Sequence, residues 1–485
     1  MKTNQSRRDF LKTAVAGAGV FAAPYVWAAK KNESKKSDSK PVEFKHSTNP
    51  LRMAVIGCGG QGRGTHVPNT WREKLVALVD ADEACLDKAL KRIHEVDPGA
   101  NTSGVKLFTD YREFFDKMAK EVDAVSIATT NNHHALPALM AMKLGIHCYV
   151  EKPMAYSVAE ARQLAEFSKR YKVATQMGNQ GHSGEGYRRL CEYIWAGAIG
   201  NVTEVHHYCN RSNGGVGPRP PTLPVPAGMH WDNWIGPAPY RDFHSDLHPH
   251  EWHGWHDFGN GSLGNLGCHV MDGAVWALNL QYPVAAEAEE IIGGSDERYP
   301  VGTRVRWDYA ARGAMPPVKV FWYDGKRKDV KHAGTDPNDA EDSIAPESRN
   351  LPPMYAKLEK EYGEKFDGSG TFYVGDKGIM YTATYGGSPH IVPMEKHKAF
   401  PAPDKKIARV KSHYGNFLDG CRGGELPCSN FEVAARLTEI ILIGDLAIKA
   451  GAGKRIEWDG PNMRCPNNDA INQYVTRQFR KGWQV

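Results

Sequence analysis

Three glycines, an acid, a lysine and a histidine carry most of the chemistry available to this 485-residue chain. Gly57, Gly59 and Gly62 stand in the spacing Gly-x-Gly-x-x-Gly directly after the apolar run Met53 to Ile56. In that setting Gly57 permits a tight turn, and Gly59 lets a pyrophosphate approach the backbone. Gly60 and Gln61 lie in the same turn. The helix expected next points unpaired N–H groups at the phosphates. Asp80 closes a second apolar run, "KLVALVDAD". Its carboxylate can accept from both ribose hydroxyls and would repel a 2′-phosphate, so NAD is expected in preference to NADP.

Further polar groups follow the later apolar runs. Thr129, Asn131, Asn132 and His134 follow the run 124–128, and Glu151, Lys152 and Pro153 follow the run 147–150. Asn179, Gln180 and His182 come after a run ending near Gly178. Ligands bind at the carboxyl ends of such strands. Thr129, Asn132, His134, Glu151 and Asn179 are therefore expected beside the cofactor, and His182 beside the substrate. In "GSLGNLGCHVMDGAVWAL", 261–278, helical spacing puts Asn265, His269 and Asp272 on one face. A neutral imidazole at His269 suits general-base work. Just before it, His244, His248, His250, His253 and His256 crowd together with Trp252 and Trp255. No recognised ligand spacing is present, so no metal is expected. The stretch reads instead as an active-site loop whose rings stack on sugar faces, with Trp255 and His256 among the substrate contacts.

The elements that must position these groups are legible in outline. Up to about residue 175 apolar runs alternate with helical patterns, which predicts a parallel sheet of Rossmann type. Later segments such as "TRVRWDYAARG" and "PVKVFWYDG" have strand composition and turn signals. The fold class is thus α/β, an N-terminal dinucleotide-binding domain (49–175) followed by an α+β domain (176–460) with a largely antiparallel open sheet and a tail (461–485). The Pro- and Gly-rich stretch "NGGVGPRPPTLPVPAGMHWDNWIGPAPY" reads as a long surface arm.

The first residues address a different question. "SRRDFLKTAVAGAG", Ser6 to Gly19, has the pattern of a twin-arginine export signal, here 1–29, and its apolar run is too short and weak to span a bilayer. A charged, Ser-rich linker follows, 30–48. Residues 1–45 hold ten Lys/Arg and four Asp/Glu, a charge of +6, against +5 for the whole chain. The remainder is near neutral, which excludes a basic field for nucleic acid or acidic membrane. Nine cysteines in no paired spacing read as buried thiols.

The fingerprint Gly57–Gly62, "ATTNNHHA" and "EKP" together resemble the Gfo/Idh/MocA oxidoreductases, which act mostly on sugars and polyols. The resemblance implies that Lys152 sits beside the nicotinamide and binds a substrate hydroxyl, and that His269 is the base. Asn265 departs from it, since the family usually has Asp there. The family often pairs through its open sheet, which implies a homo-oligomer. Free nicotinamide cofactor is scarce outside the cytoplasm, so a protein exported folded is expected to carry its NAD out bound and to recycle it at the site. The leading expectation is a periplasmic or otherwise extracytoplasmic sugar oxidoreductase, with a carbohydrate and the twin-arginine machinery as partners. The alternatives are an NAD-dependent glycosidase working by transient ring oxidation, and a sugar-binding protein that keeps NAD without turnover.

Overall fold

The computed structural model describes residues 46–327 and 348–483. The expected export signal and most of the linker lie outside them. The end of the linker is docked, since the Ser47 N–H donates to the Arg72 carbonyl at 2.7 Å.

Runs without polar alternation, such as Met53–Ile56 and Ala124–Ile127, bury both faces and form a parallel sheet. Its strands are β1 (Arg52–Ile56), β2 (Lys74–Val79), β3 (Lys106–Phe108), β4 (Ala124–Ile127), β5 (His147–Val150) and β6 (Thr175–Met177), in the order β3-β2-β1-β4-β5-β6. The order reverses between β1 and β4, and that switch opens a crevice at the carboxyl edge. Because β6 pairs with β5, this sheet runs to Met177 rather than ending at 175.

Alternating patterns build the second sheet. In β9 (Gly302–Tyr309), Thr303, Val305, Trp307 and Tyr309 turn inward, while Arg304, Arg306 and Asp308 turn out. The other strands are β7 (Val202–Cys209), β8 (Ala285–Ile292), β10 (Val318–Gly325), β11 (Gly370–Gly375), β12 (Gly378–Ala383), β13 (His390–Val392) and β14 (Ile456–Glu457). They lie in the order β13-β12-β11-β7-β10-β9-β8-β14, with only β7 and β10 parallel among neighbours. On the outer face Arg304 and Arg306 pair with Glu289 and Glu287.

The helix Phe431–Ala450 is buried almost all round, as its continuous apolar composition requires. Asn430 caps it through the Glu432 N–H, and Trp307 Nε1 donates to its Ile440 carbonyl at 3.0 Å. It packs against both the helix Val158–Tyr171 and the second sheet, fastening the domains together. Two further segments tie the domains: an excursion from Asn210 to Asn260, and the tail after β14. Of the expected surface arm, 217–219 and 221–228 are exposed, but Met229 bridges to Asp82 in the first domain. All nine cysteines are free thiols, seven of them buried. No helix of the described residues is long and apolar enough to cross a membrane.

Candidate functional site

A cleft of about 410 Å³ runs along the carboxyl edge of the first sheet and under the second domain. Following the strand order, its wall passes from Asp80 after β2 to Gly57, Gly59, Gly60 and Gln61 after β1, Thr129 after β4, and Glu151 and Lys152 after β5. The turn is built as the glycine spacing requires. Gly57 has φ +89°, and a Cβ there would stand 2.5 Å from the Ala128 carbonyl. A Cβ on Gly62 would collide with the Gly57 carbonyl oxygen, so Gly62 lets the following helix close on the turn and does not itself line the cleft. At Gly59 and Gly60 nothing lies within 4 Å of where a Cβ would stand. The backbone there faces open space, a cradle for a pyrophosphate. Thr129 Oγ1 is buried with no partner among the described residues. Asp80 accepts from the Cys58 N–H at 2.6 Å and the Asp82 N–H at 2.9 Å. Burial raises its carboxyl to about 6 against those bonds, which leaves it mostly ionised at pH 7 with lone pairs to spare. These residues fit a dinucleotide with a free ribose diol.

The other end of the cleft holds Lys152, Asn265 and His269. Lys152 Nζ donates to Asn265 twice, to the side-chain Oδ1 at 2.8 Å and the backbone carbonyl at 2.9 Å. Asn265 Nδ2 in turn donates to Asn213 Oδ1 at 2.9 Å. Asn265 therefore aims the lysine, and does so with neutral acceptors where a carboxylate would cancel part of its charge. His269 lines the same space, with Tyr385 edge-on to its ring at 4.7 Å between centroids. Its buried Nδ1 has no partner among the described residues. Burial, aided by the charge of Lys152, holds its imidazole well below the ordinary value. At Glu151 burial acts to raise the carboxyl, but a 3.1 Å bond to His66 Nε2 and nearby positive charge outweigh it and keep it low. His134 lines the cleft and ties two loops together, its nitrogens 2.7 Å from the Pro153 carbonyl and 3.0 Å from that of Thr129.

Several expected contacts fall elsewhere. Asn132 does not line the cleft; its Nδ2 donates to the Ile235 carbonyl. Asp272 does not line the cleft; the helix Gly261–Val270 is followed beyond Met271 by a second, Asp272–Ala277. Asp272 instead accepts from Asn179 Nδ2 at 3.1 Å and bonds His182 Nδ1 at 2.9 Å, a buried cluster outside the cleft lining. Asn179 and His182 are held in that cluster, His182 stacking on Trp276. The histidine-rich loop splits. His248, His250, Trp252 and His253 line the cleft, whereas Trp255 is wholly buried in a satellite core, and His256 turns to Lys449 at 2.9 Å. The ring-and-imidazole wall exists, but other members of the run supply it. Among the described residues Asp82, Cys85 and His248 place ligating atoms within 4.8 Å of one another; Asp82 already caps a helix there through the Ala84 N–H.

Sequence reasoning missed Arg211, Tyr385, Trp234 and Trp483, all of which line the cleft. Tyr385 had one local signal. It precedes Gly386-Gly387 in a turn after β12, where it adopts φ 61°, a conformation costly for a tyrosine and held by the packing of that turn.

Comparison with known proteins agrees with this geometry. The profile of an oxidoreductase family's NAD-binding Rossmann fold matches residues 51–179, and that of its C-terminal alpha/beta domain matches 216–312. A glycosyl hydrolase family 109 protein from Solibacter usitatus is 31% identical over 167 residues, 34% of this chain and 36% of its own length. The D-xylose 1-dehydrogenase [NADP(+)] of Haloarcula marismortui is 29% identical over 33% of this chain and 42% of its own. The chain thus spans well under half the length of these curated relatives. The WlbA dehydrogenase from Bordetella pertussis, solved in complex with NADH and UDP-GlcNAcA, superposes with a TM-score of 0.53 at 14% identity, covering 84% of this chain and 99% of that one, which shows the shared fold. Residues 51–179 and 216–312, the Rossmann domain and part of the alpha/beta domain after it, belong to the Gfo/Idh/MocA family of NAD-binding oxidoreductases.

Proposed function

We propose that this protein is an exported oxidoreductase for a sugar or sugar derivative, holding NAD tightly and regenerating it at the same site. The observation that supports it most is the convergence of Lys152, Asn265 and His269 at one end of a cleft whose other end suits a dinucleotide. A substrate hydroxyl between Lys152 and His269 would give its proton to the neutral imidazole. The Lys152 ammonium, fixed by Asn265, stabilises the alkoxide as it develops. Bound NAD supplies the acceptor for hydride from the same carbon. Trp252, stacked on His253 with centroids 3.6 Å apart, offers an aromatic wall for a sugar face. The twin-arginine pattern in the first residues supports export after folding, and a homo-oligomer belongs to the same reading.

Redox-neutral glycoside cleavage is the second reading, favoured by the match to family 109 glycosyl hydrolases. There, oxidation of a ring hydroxyl acidifies the neighbouring C–H. Loss of that proton expels the glycosidic substituent, water adds, and the ketone is reduced back. The same lysine and histidine would serve.

The test is made on protein purified without added nucleotide. After denaturation, the supernatant should hold NAD or NADH stoichiometric with the chain, and little NADP. Intact protein given a panel of sugars should then show its bound nicotinamide reduced by one sugar and reoxidised by a second carbonyl compound. Empty protein, or bound NAD that no sugar reduces while glycosides are cleaved without net redox, would overturn the first reading.

The buried imidazole adds a pH expectation. With His269 held well below its usual pKa by burial, kcat/KM should stay flat as pH falls from 8 to 6. An ordinary imidazole at about 6.5 would lose roughly three quarters of its neutral form by pH 6. An acid limb centred near 6.5 would assign the base to another group.

A further inference from the structure

The half of the cleft beyond Asp80 is covered by parts of the chain that belong to neither the Rossmann fingerprint nor the reacting centre. We propose that the excursion near residues 228–258 and the tail 473–483 form a strap that retains the nucleotide, with Trp234, His248 and Trp483 facing its adenosine half. This rests on the reading above only in taking NAD as the bound group.

The strap is fastened at several loops of the carboxyl edge. After β2, the His230 N–H donates to the Ala81 carbonyl at 2.8 Å, the Glu83 N–H to the Gly228 carbonyl at 3.0 Å, and His248 Nε2 meets Asp82 Oδ2 at 2.9 Å. After β3, Asn233 Nδ2 donates to the Thr109 carbonyl at 3.1 Å, and the Arg112 guanidinium lies 3.7 Å over the Trp483 ring. After β4, His133 Nε2 lies 2.9 Å from the Trp234 carbonyl, and the Asn132 N–H donates to the Phe258 carbonyl at 3.1 Å. This gives Asn132 a role: it anchors the strap rather than the cofactor.

Excursion and tail are also tied to each other. Arg480 bonds the Asp232 carboxylate and donates to the Gly236 carbonyl at 2.9 Å, and its own N–H donates to the Pro237 carbonyl at 3.1 Å. Of these loops, those after β2 and β3 lie on the side of the sheet that carries Asp80, and that after β4 lies across the switch point. The segment after β5 is tied as well, Tyr156 Oη donating to the His256 carbonyl and the Ala159 N–H to the Val475 carbonyl at 3.0 Å. Rings of Trp234, Trp483 and Tyr111 line the covered end, as a purine and its ribose require. Each tie is weak alone, but a nucleotide beneath them leaves only when several open together. Trp252 and His253, later in the same excursion, wall the space near Lys152 that is left to substrate.

The test is nucleotide exchange on the full chain. Protein loaded with radiolabelled NAD is chased with unlabelled NAD, and bound label is read after rapid gel filtration. Wild-type label should leave over hours. Arg480→Ala unties tail from excursion and lines no part of the cleft; it should speed loss by about tenfold or more. His248→Ala should do likewise and carries the comparison should Arg480→Ala fail to fold. Wild-type exchange within seconds, failure to bind NAD at all, or a folded Arg480→Ala protein that exchanges at the wild-type rate would overturn the proposal. Hydride transfer is scored separately in the same samples. Fast exchange with sugar oxidation removes the strap and leaves the function standing, and slow exchange without oxidation does the reverse.

Discussion

Lys152→Met should lower kcat by ~10³-fold, within the range for loss of a positioned acid–base group, while bound NAD stays stoichiometric. Methionine keeps the length and apolar stem of the side chain, so packing at the end of β5 is nearly preserved. What it removes is the ammonium that Asn265 holds with two acceptors, 2.8 and 2.9 Å away. That charge matters only once a hydroxyl becomes an alkoxide, so KM should move far less than kcat. A variant within tenfold of wild type, or one that loses its nucleotide, would show that Lys152 holds structure or cofactor and does not serve the reacting carbon. Single-turnover reduction of the bound nicotinamide by saturating sugar separates these outcomes.

Gly62→Ala is expected to be the most damaging change in the first domain. Its Cβ would meet the Gly57 carbonyl oxygen, which cannot yield because Gly57 is already at φ +89° against Ala128. The helix must therefore lift from the turn. An overpacking cost of about 3 kcal/mol follows, on the order of 10 °C in melting temperature for a domain of this size, together with loss of the bound nucleotide. Gly59→Ala is the informative companion. Nothing lies within 4 Å of its Cβ position, so it should melt with wild type and still bind NAD weakly, because the methyl occupies the cradle itself. Equal stability losses for both variants would contradict the separate duties given to the two glycines. Thermal melts and nucleotide content together read the difference.

Much of this arrangement was legible in the sequence, for identifiable reasons. Buried parallel strands are unbroken apolar runs, so β1, β2, β4 and β5 announce themselves, and the polar residue after each must lie at the carboxyl edge. Gly57, Asp80 and Lys152 follow from that rule alone. It failed where a side chain's direction depends on more than its strand. Asn179 follows β6, yet Ser429 Oγ and Asp272 bond it away from the cleft. Helical spacing put Asp272 with His269, yet Asn179 and His182 bond it in a buried cluster outside the cleft lining. In the histidine run, composition gave the right surface but the wrong members. A short turn at Glu251–Gly254 sends Trp252 and His253 to the cleft and Trp255 inward. Arg211, Tyr385 and Trp483 reach the site from remote positions, and no local pattern encodes such a meeting.

Arg112, whose guanidinium lies over the Trp483 ring, also donates to the Gly482 carbonyl at 3.0 Å, across 370 residues of sequence. On the ribosome, the first sheet can be completed long before residues 473–483 exist, so the domain waits with its ligand edge open while the second is synthesised. Such distant pairings carry a high loop-closure cost and form late. Nucleotide capture then becomes one of the last events in the maturation of the chain. On the export proposed above, a gate that admits only folded cargo would read a state that the chain reaches only once its tail is made and its cofactor bound.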